Sequence, residues 1–178
     1  DNRNGGLLDV YAHNIQTGIE ERVTTGSTVY GQLNFPGQLD ISGERVVWTD
    51  TRDGNNEIYL YDFSSGVETN LTNHSASQTE PKINGDVVVW TDKRNTYTDV
   101  YMYNILTAVT ARVSRTAYEQ KSADLDGDWI VWKDSMTSPP YTKSIWGYDL
   151  PNAGIDTMLT STIDYSGVYP VVSQGWVF

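Results

Sequence analysis

The sequence predicts an all-β fold, a β-propeller of four-stranded antiparallel blades with about four repeats of roughly 42 residues. Three observations predict it. A strand ending in tryptophan recurs at a fixed spacing, each copy is followed by the same polar turn and strand, and no stretch has helical periodicity. Trp48, Trp90 and Trp132 are 42 residues apart. A constant period of this length is typical of propeller blades, whose faces are buried only by stacking.

The repeat opens with two β-runs joined by a tight turn. The turns contain Gly43, Gly85 and Gly127, where a two-residue hairpin needs positive φ. The run VVVW at residues 87–90 is apolar on both faces, which predicts a strand between two neighbouring sheets. The run EIYLYD at residues 57–62 alternates, which predicts one drier and one wetter face.

The remaining elements of the unit complete four short strands. A polar turn containing Asp follows each tryptophan, and Arg52 and Arg94 recur in phase with Asp50 and Asp92. We interpret this recurrence as a structural Asp/Arg turn brace. A closing strand then ends in sequences such as TNLT at residues 69–72.

The phase of the repeat predicts three complete blades and two complementary halves. We predict a single propeller domain or propeller segment over residues 1–178, with repeat units at approximately 1–49, 50–91, 92–133 and 134–178. A closed four-bladed ring, part of a larger ring and an open piece that pairs with another chain all remain open. We favour part of a longer surface protein, because the sequence does not begin with methionine.

Charge and composition exclude several classes of protein. The formal net charge is −11, which disfavours binding to nucleic acid because the phosphate backbone is also negative. The chain has no cysteine, so disulfides and thiolate metal sites are excluded. No apolar run approaches the ~20 residues that a membrane-spanning helix needs, so no membrane span is predicted.

The best copy of the unit, WTDTRDGNNEIYLYDFSSGVETNLT at residues 48–72, closely resembles the TolB-like propeller repeat. It is most similar to the variant in secreted and cell-surface proteins of archaea and bacteria. The resemblance spans essentially the whole chain. It implies a propeller fold and an extracellular or cell-surface location, with the periplasm as an alternative, and it implies no particular ligand.

Two groups of carboxylates are calcium candidates, and calcium is the only cofactor that we consider. The residues are Asp50, Asp53 and Glu57 in the turn after Trp48, and Asp124, Asp126 and Asp128 before Trp132. The spacing of the first group differs from that of an EF-hand loop. Members of the second group align with ordinary turn residues of the other repeats. We therefore favour structural turns over a metal site.

No catalytic residues are predicted. His13 and His74 occupy non-equivalent positions, and Ser75 belongs to no nucleophile motif. The in-register tryptophans are predicted to pack in the core. Asn70 and Asn73 begin two N-glycosylation tripeptides, Asn-Leu-Thr and Asn-His-Ser, and are the candidate modification sites.

Three functional hypotheses follow. The leading one is a non-catalytic propeller that acts as a scaffold or interaction surface of an exported cell-surface protein, with a protein or cell-surface glycan as partner. The second is the propeller part of a carbohydrate-active enzyme or peptidase. The third is a self-associating unit joined through complementary terminal strands, since exposed strand edges favour pairing.

Overall fold

The computed structural model describes residues 9–24, 39–135, 142–152, 156–160 and 169–178. Within these ranges the regular elements are all strands, and no helix there is long and apolar enough to cross a membrane. The strands are β1 (Tyr11–His13), β2 (Glu20–Arg22), β3 (Leu39–Ser42), β4 (Arg45–Asp50), β5 (Glu57–Asp62), β6 (Val67–Asn70), β7 (Gln78–Asn84), β8 (Val87–Asp92), β9 (Asp99–Asn104), β10 (Val109–Arg112), β11 (Glu119–Asp126), β12 (Trp129–Ser135), β13 (Lys143–Asp149), β14 (Asp156–Thr160), β15 (Val172–Ser173) and β16 (Trp176–Val177). The predicted all-β class is confirmed.

The strands form three complete blades between two halves. The sheets β3–β6, β7–β10 and β11–β14 are antiparallel meanders in which sequence neighbours pair, and we call them the first, second and third blades. The pairs β1–β2 and β15–β16 form separate two-stranded sheets, the N-terminal and C-terminal half-blades. The propeller architecture predicted from the repeat is confirmed by these four-stranded units.

A two-residue turn that begins with glycine joins the first two strands of each blade. Asn84 pairs with Val87 across one such turn. The first turn residues Gly43, Gly85 and Gly127 have φ of 57°, 55° and 54°. Glycine adopts this conformation without the steric cost of a Cβ atom, which is why the predicted turns form here.

The repeated tryptophans lie between sheets, as predicted. Trp48, Trp90 and Trp132 are all 0% exposed. Trp90 packs against Val47 and Ile58 of the first blade. Trp48 and Trp132 pack in the same way, against the N-terminal half-blade and the second blade. Each tryptophan therefore covers a face of the preceding sheet.

The third strand of the first blade does not alternate in burial, and the prediction of a drier and a wetter face for residues 57–62 was wrong. Glu57 to Leu60 are all buried, whereas Tyr61 and Asp62 are half-buried. Sheets cover both faces of the blade, so burial changes along the strand rather than across it.

The first strands of successive blades lie against one another. Side chains of one blade bind the backbone of the next there. Asp40 Oδ2 accepts a hydrogen bond from the N–H of Ile83 at 2.9 Å, and Asp124 Oδ2 accepts one from the N–H of Val172 at 2.9 Å. These bonds set the register between neighbouring blades.

Replacement of a repeated tryptophan should strongly destabilise the protein. We expect Trp90→Ala to cost about 3–5 kcal/mol in the free energy of unfolding, because it leaves a cavity between two blades. Leu106, which is 73% exposed, provides the control. Its alanine variant should change the free energy by no more than about 0.5 kcal/mol. Urea unfolding followed by fluorescence measures both, and equal losses would contradict the packing assigned to Trp90.

Candidate functional site

A repeated brace of four side chains closes the turn after the second strand. In the first blade Trp48 Nε1 donates to Asp50 Oδ2 at 2.9 Å. Arg52 donates to the same carboxylate oxygen from Nε at 3.0 Å and from Nη2 at 2.6 Å. The guanidinium also lies over the Tyr59 ring, 4.3 Å from its centroid, in cation–π geometry. The predicted Asp/Arg brace thus includes an indole and a phenol.

The second blade repeats this brace. Trp90 Nε1 donates to Asp92 at 2.9 Å, Arg94 donates to both oxygens of that carboxylate, and the guanidinium lies 4.4 Å from the centroid of the Tyr101 ring. The hydrogen bond to Asp92 raises the pKa of Arg94. The fully buried carboxylate is therefore balanced by a cation two residues away.

The third blade keeps the carboxylate and lacks the arginine. Asp134 is buried and accepts hydrogen bonds from the Thr116 hydroxyl and from Gln120 Nε2 instead. Trp132 Nε1 is buried without a hydrogen-bond partner. Met136, outside the described residues, has the arginine's place in the sequence. Burial raises the pKa of Asp134, because desolvation disfavours its charged form.

The carboxylates proposed as calcium ligands in the first blade accept hydrogen bonds from groups of the protein itself. Asp50 belongs to the brace. Asp53 accepts hydrogen bonds from the Tyr59 hydroxyl and from Asn70 Nδ2, and burial followed by this contact raises the pKa of Tyr59. Glu57 accepts one from the N–H of His74 at 3.0 Å. These three carboxylates stabilise the turn and its neighbouring loop.

The second group of calcium candidates joins the third blade to the C-terminal half-blade. Asp124 binds the N–H of Val172, as described above, and Asp126 Oδ2 accepts a hydrogen bond from the N–H of Gln174 at 2.7 Å. Asp128 is exposed in the turn. Across the described part of the chain, no group of three or more His, Cys, Asp or Glu side chains is arranged to hold a metal ion. The calcium hypothesis has no geometric support there.

An arginine bridges the first and second blades at the other end of the sheets. Arg45 Nε lies 2.9 Å from Asp62 Oδ2 in its own blade, and Nη1 lies 2.6 Å from Asp86 Oδ1 in the next. The Ser64 hydroxyl, followed by Arg45, lowers the pKa of Asp62 to about 2. This bridge is a contact between blades that the sequence analysis did not identify.

The histidines and Ser75 are not arranged as a nucleophile and its base. His13 is exposed at the end of β1. His74 Nδ1 accepts a hydrogen bond from the N–H of Ala76 at 3.0 Å, and Ser75 is exposed. The Nδ1 atom therefore orders the loop backbone.

The two glycosylation candidates differ in availability. Asn70 is half-buried, donates to Asp53, and accepts hydrogen bonds at Oδ1 from the N–H groups of Thr72 and Asn73 at 3.0 and 3.1 Å. Asn73 is exposed, with φ of 37°. Both remain predicted modification sites, and Asn73 is the more accessible.

A group of lysines in the third blade was missed by the sequence analysis. Lys133 is only 8% exposed and lies directly opposite Lys121 in the adjacent strand. Lys143 begins the next strand. The signal was present in the repeat, since the residue after the tryptophan is Thr49, Thr91 and then Lys133. This substitution alone does not indicate a cationic site, because the second lysine, Lys121, lies opposite Lys133 only once the two strands pair.

The chain is similar to solved propeller structures. TolB from Acinetobacter baumannii superposes with a TM-score of 0.65 and 25% identity, over 94% of this chain and 41% of that one. The β-propeller domain of the Trilobed protease from Pyrococcus furiosus, which has an open velcro topology, superposes with a TM-score of 0.65 and 15% identity, over 91% and 46%. The Pyrococcus horikoshii acylaminoacyl peptidase superposes with a TM-score of 0.64 and 17% identity, over 89% and 23%.

These similarities support the TolB-like β-propeller resemblance at low identity. No protein-family model matches the chain, and neither does any curated protein sequence. The chain spans between 23% and 46% of the length of the three solved proteins. The peptidase similarities, being below 25% identity, concern the fold alone.

The different surroundings of the buried carboxylates predict effects of different size when each is neutralised. Asp92→Asn should cost about 3 kcal/mol in the free energy of unfolding, because it leaves the partly buried Arg94 without its anion. Asp134→Asn should change it by less than about 1 kcal/mol at neutral pH, since no cation depends on this residue among the described ones. Chemical unfolding of both variants measures the difference.

The pH dependence of the Asp134→Asn variant provides a second readout. The folded-state pKa of Asp134 is raised above the ordinary value of 3.8, so the folded state holds this proton more tightly than the unfolded chain. Ionisation therefore costs stability as the pH rises through 3.8 and through the raised folded-state pKa. The free-energy difference between variant and wild type should shift in favour of the variant over that interval. A constant difference between pH 3 and pH 7 would contradict the assignment.

Proposed function

We propose that the chain is a non-catalytic propeller module that acts as a scaffold or interaction surface of an exported protein, at the cell surface or in the periplasm. Its partner is a protein or a cell-surface glycan. The similarity to TolB over 94% of the chain supports the module class. The location is proposed from the resemblance of the repeat to secreted propeller proteins.

The observation that carries this proposal is how the buried and half-buried carboxylates are used. The carboxylates of Asp50 and Asp92 bind an indole and a guanidinium of their own blade. The carboxylates of Asp40 and Asp124 bind backbone of the next blade. Such groups are committed to holding sheets together, which suits a rigid surface for binding.

The second candidate is the propeller part of a peptidase. It is favoured by the superposition on the propeller domain of the Trilobed protease and on the acylaminoacyl peptidase. In this case the chemistry belongs to another region of a longer protein, and the propeller limits access to it. Both candidates agree that these 178 residues do not themselves catalyse a reaction.

That shared expectation can be tested directly. The purified chain should not react with a fluorophosphonate probe of activated serines, and it should not hydrolyse a fluorogenic peptide library. The matched control is Ser75→Ala, which removes the serine beside His74 and should behave like the wild type. Probe labelling that disappears in the variant would contradict both the scaffold proposal and the geometry assigned to His74.

The third candidate is self-association through complementary terminal strands, which form the two-stranded half-blades, and the exposed outward face of the C-terminal half-blade also favours it. Val172 points towards the third blade. Val171, Trp176 and Phe178, on the opposite face, are 51%, 71% and 77% exposed. A second copy of the chain could cover this apolar face, because a propeller sheet is normally packed on both sides.

Sedimentation velocity tests self-association. If a second copy covers the face, the wild type should form dimers or larger species at micromolar concentration, and Trp176→Ser should shift it to monomer. Ile15→Ser provides the control, since Ile15 is 92% exposed in the N-terminal half-blade. A monomeric wild type across the concentration range would exclude this candidate and leave the scaffold proposal unaffected.

A further inference from the structure

Three lysines lie close together on one face of the third blade. Lys121 of β11 is directly opposite Lys133 of β12, and Lys143 of β13 lies at the neighbouring position on the same face. This face covers the C-terminal half-blade, because Val131, two residues before Lys133, packs against Val172. In a chain of net charge −11, the cluster is a local reversal of charge.

The Lys133 side chain is largely buried, and no anion lies within ion-pair distance of its ammonium in the described part of the chain. The residue is 8% exposed, and within the described part of the chain its ammonium has no hydrogen bond or ion pair, only the Tyr169 ring 5.2 Å away. Burial, then the charges of Lys121 and Lys143, lowers its pKa, and Glu80 opposes the effect. Like charges directly opposite each other weaken a sheet, so this arrangement favours a compensating anion.

The preceding interface shows which group occupies the corresponding position. There the carboxylate of Glu80 accepts hydrogen bonds from the Thr91 hydroxyl at 3.0 Å and from the N–H of Ser122, in the third blade, at 3.1 Å. Lys133 is the counterpart of Thr91, and Ser122 is the counterpart of Glu80, each 42 residues later. Glu80 and Ser122 share a positive φ of 58° and 56°, which supports the correspondence. At this position the third blade therefore has the Lys133 ammonium in place of a threonine hydroxyl, and a serine in place of the glutamate carboxylate.

The C-terminal half-blade continues the same pattern. The dipeptide Tyr169-Pro170 corresponds to Glu80-Pro81, which places Tyr169 where Ser122 lies in the preceding interface. A carboxylate held between Lys133 and the backbone at Tyr169 would occupy the position that the Glu80 carboxylate occupies one blade earlier.

We propose that Lys133, with Lys121 and Lys143, binds a carboxylate group supplied by another molecule. The chemical class is an acidic side chain or the free C-terminus of a peptide. The carboxylate accepts a hydrogen bond from the Lys133 ammonium, and the other two lysines supply the surrounding positive charge. The inference does not depend on the scaffold role, because it concerns a property of the third blade alone.

Nuclear magnetic resonance of the complete chain labelled with ¹³C-lysine tests the site. The probes are acetyl-glutamic acid α-amide, which carries a side-chain carboxylate, and acetyl-trialanine, which carries a terminal one, each compared with its fully amidated form at constant ionic strength. We expect a saturable shift of the Lys133 Cε resonance with at least one acid and with neither amide. Saturation should also raise the pKa of Lys133. The acid that binds more tightly identifies the source of the carboxylate.

Matched variants keep the result specific. Lys133→Thr restores the residue of the other two blades and should weaken binding at least ten-fold. Lys133→Gln keeps the length and polarity and should weaken it similarly. Lys93→Thr, at an exposed lysine of the second blade, should bind like the wild type.

Three outcomes would overturn the proposal. The first is equal binding of acids and amides, and the second is unchanged binding by Lys133→Gln. The third is carboxylate binding that appears only after Asp164→Asn, since the chain would then supply its own anion. Asp164 lies outside the described residues.

Discussion

Every blade of this protein must have both faces covered by its neighbours, and most features of the structure follow from that constraint. A four-stranded sheet with tryptophan on one face and valine on the other is not stable alone in water. Trp90 covers the first blade, and Val89, from the same strand, covers the third. Because the second strand is buried on both sides, its central residues are apolar. Polar groups are therefore confined to the strand ends and the first strands, where they must find partners.

Those partners divide into contacts within a blade and contacts between blades. The brace of Asp50, Arg52 and Trp48 is local and forms within a few residues of sequence. The bonds from Asp40 and Asp124 to the backbone of the next blade are long-range, and they fix how neighbouring sheets meet. A carboxylate can perform either role because it accepts several hydrogen bonds. The acidic composition thus contributes to the architecture as well as to the surface charge.

The third blade departs from its neighbours on both faces. Towards the second blade, Asp134 keeps its position without an arginine, and Trp132 Nε1 has no acceptor. Towards the C-terminal half-blade, lysines replace the threonines of the earlier repeat. Departures that leave buried polar groups incompletely paired cost stability and are often found where a protein has a function. This blade is consequently the part of the described chain in which we place a binding site, whereas the first two blades are structurally regular.

By itself, the sequence determined the fold class, the glycine turns and the burial of the three tryptophans. Each depends on a pattern that is local or that repeats every 42 residues, and such patterns can be recognised in the amino-acid sequence. It also indicated the Asp/Arg brace, because the partners are two residues apart. Only the tertiary structure decided that residues 57–60 are buried on both faces, because neighbouring sheets cover them. Only the fold paired Arg45 with Asp86, and only the fold brought Lys121 opposite Lys133. Such pairings depend on strand register and blade stacking, which bring together residues that no local pattern connects.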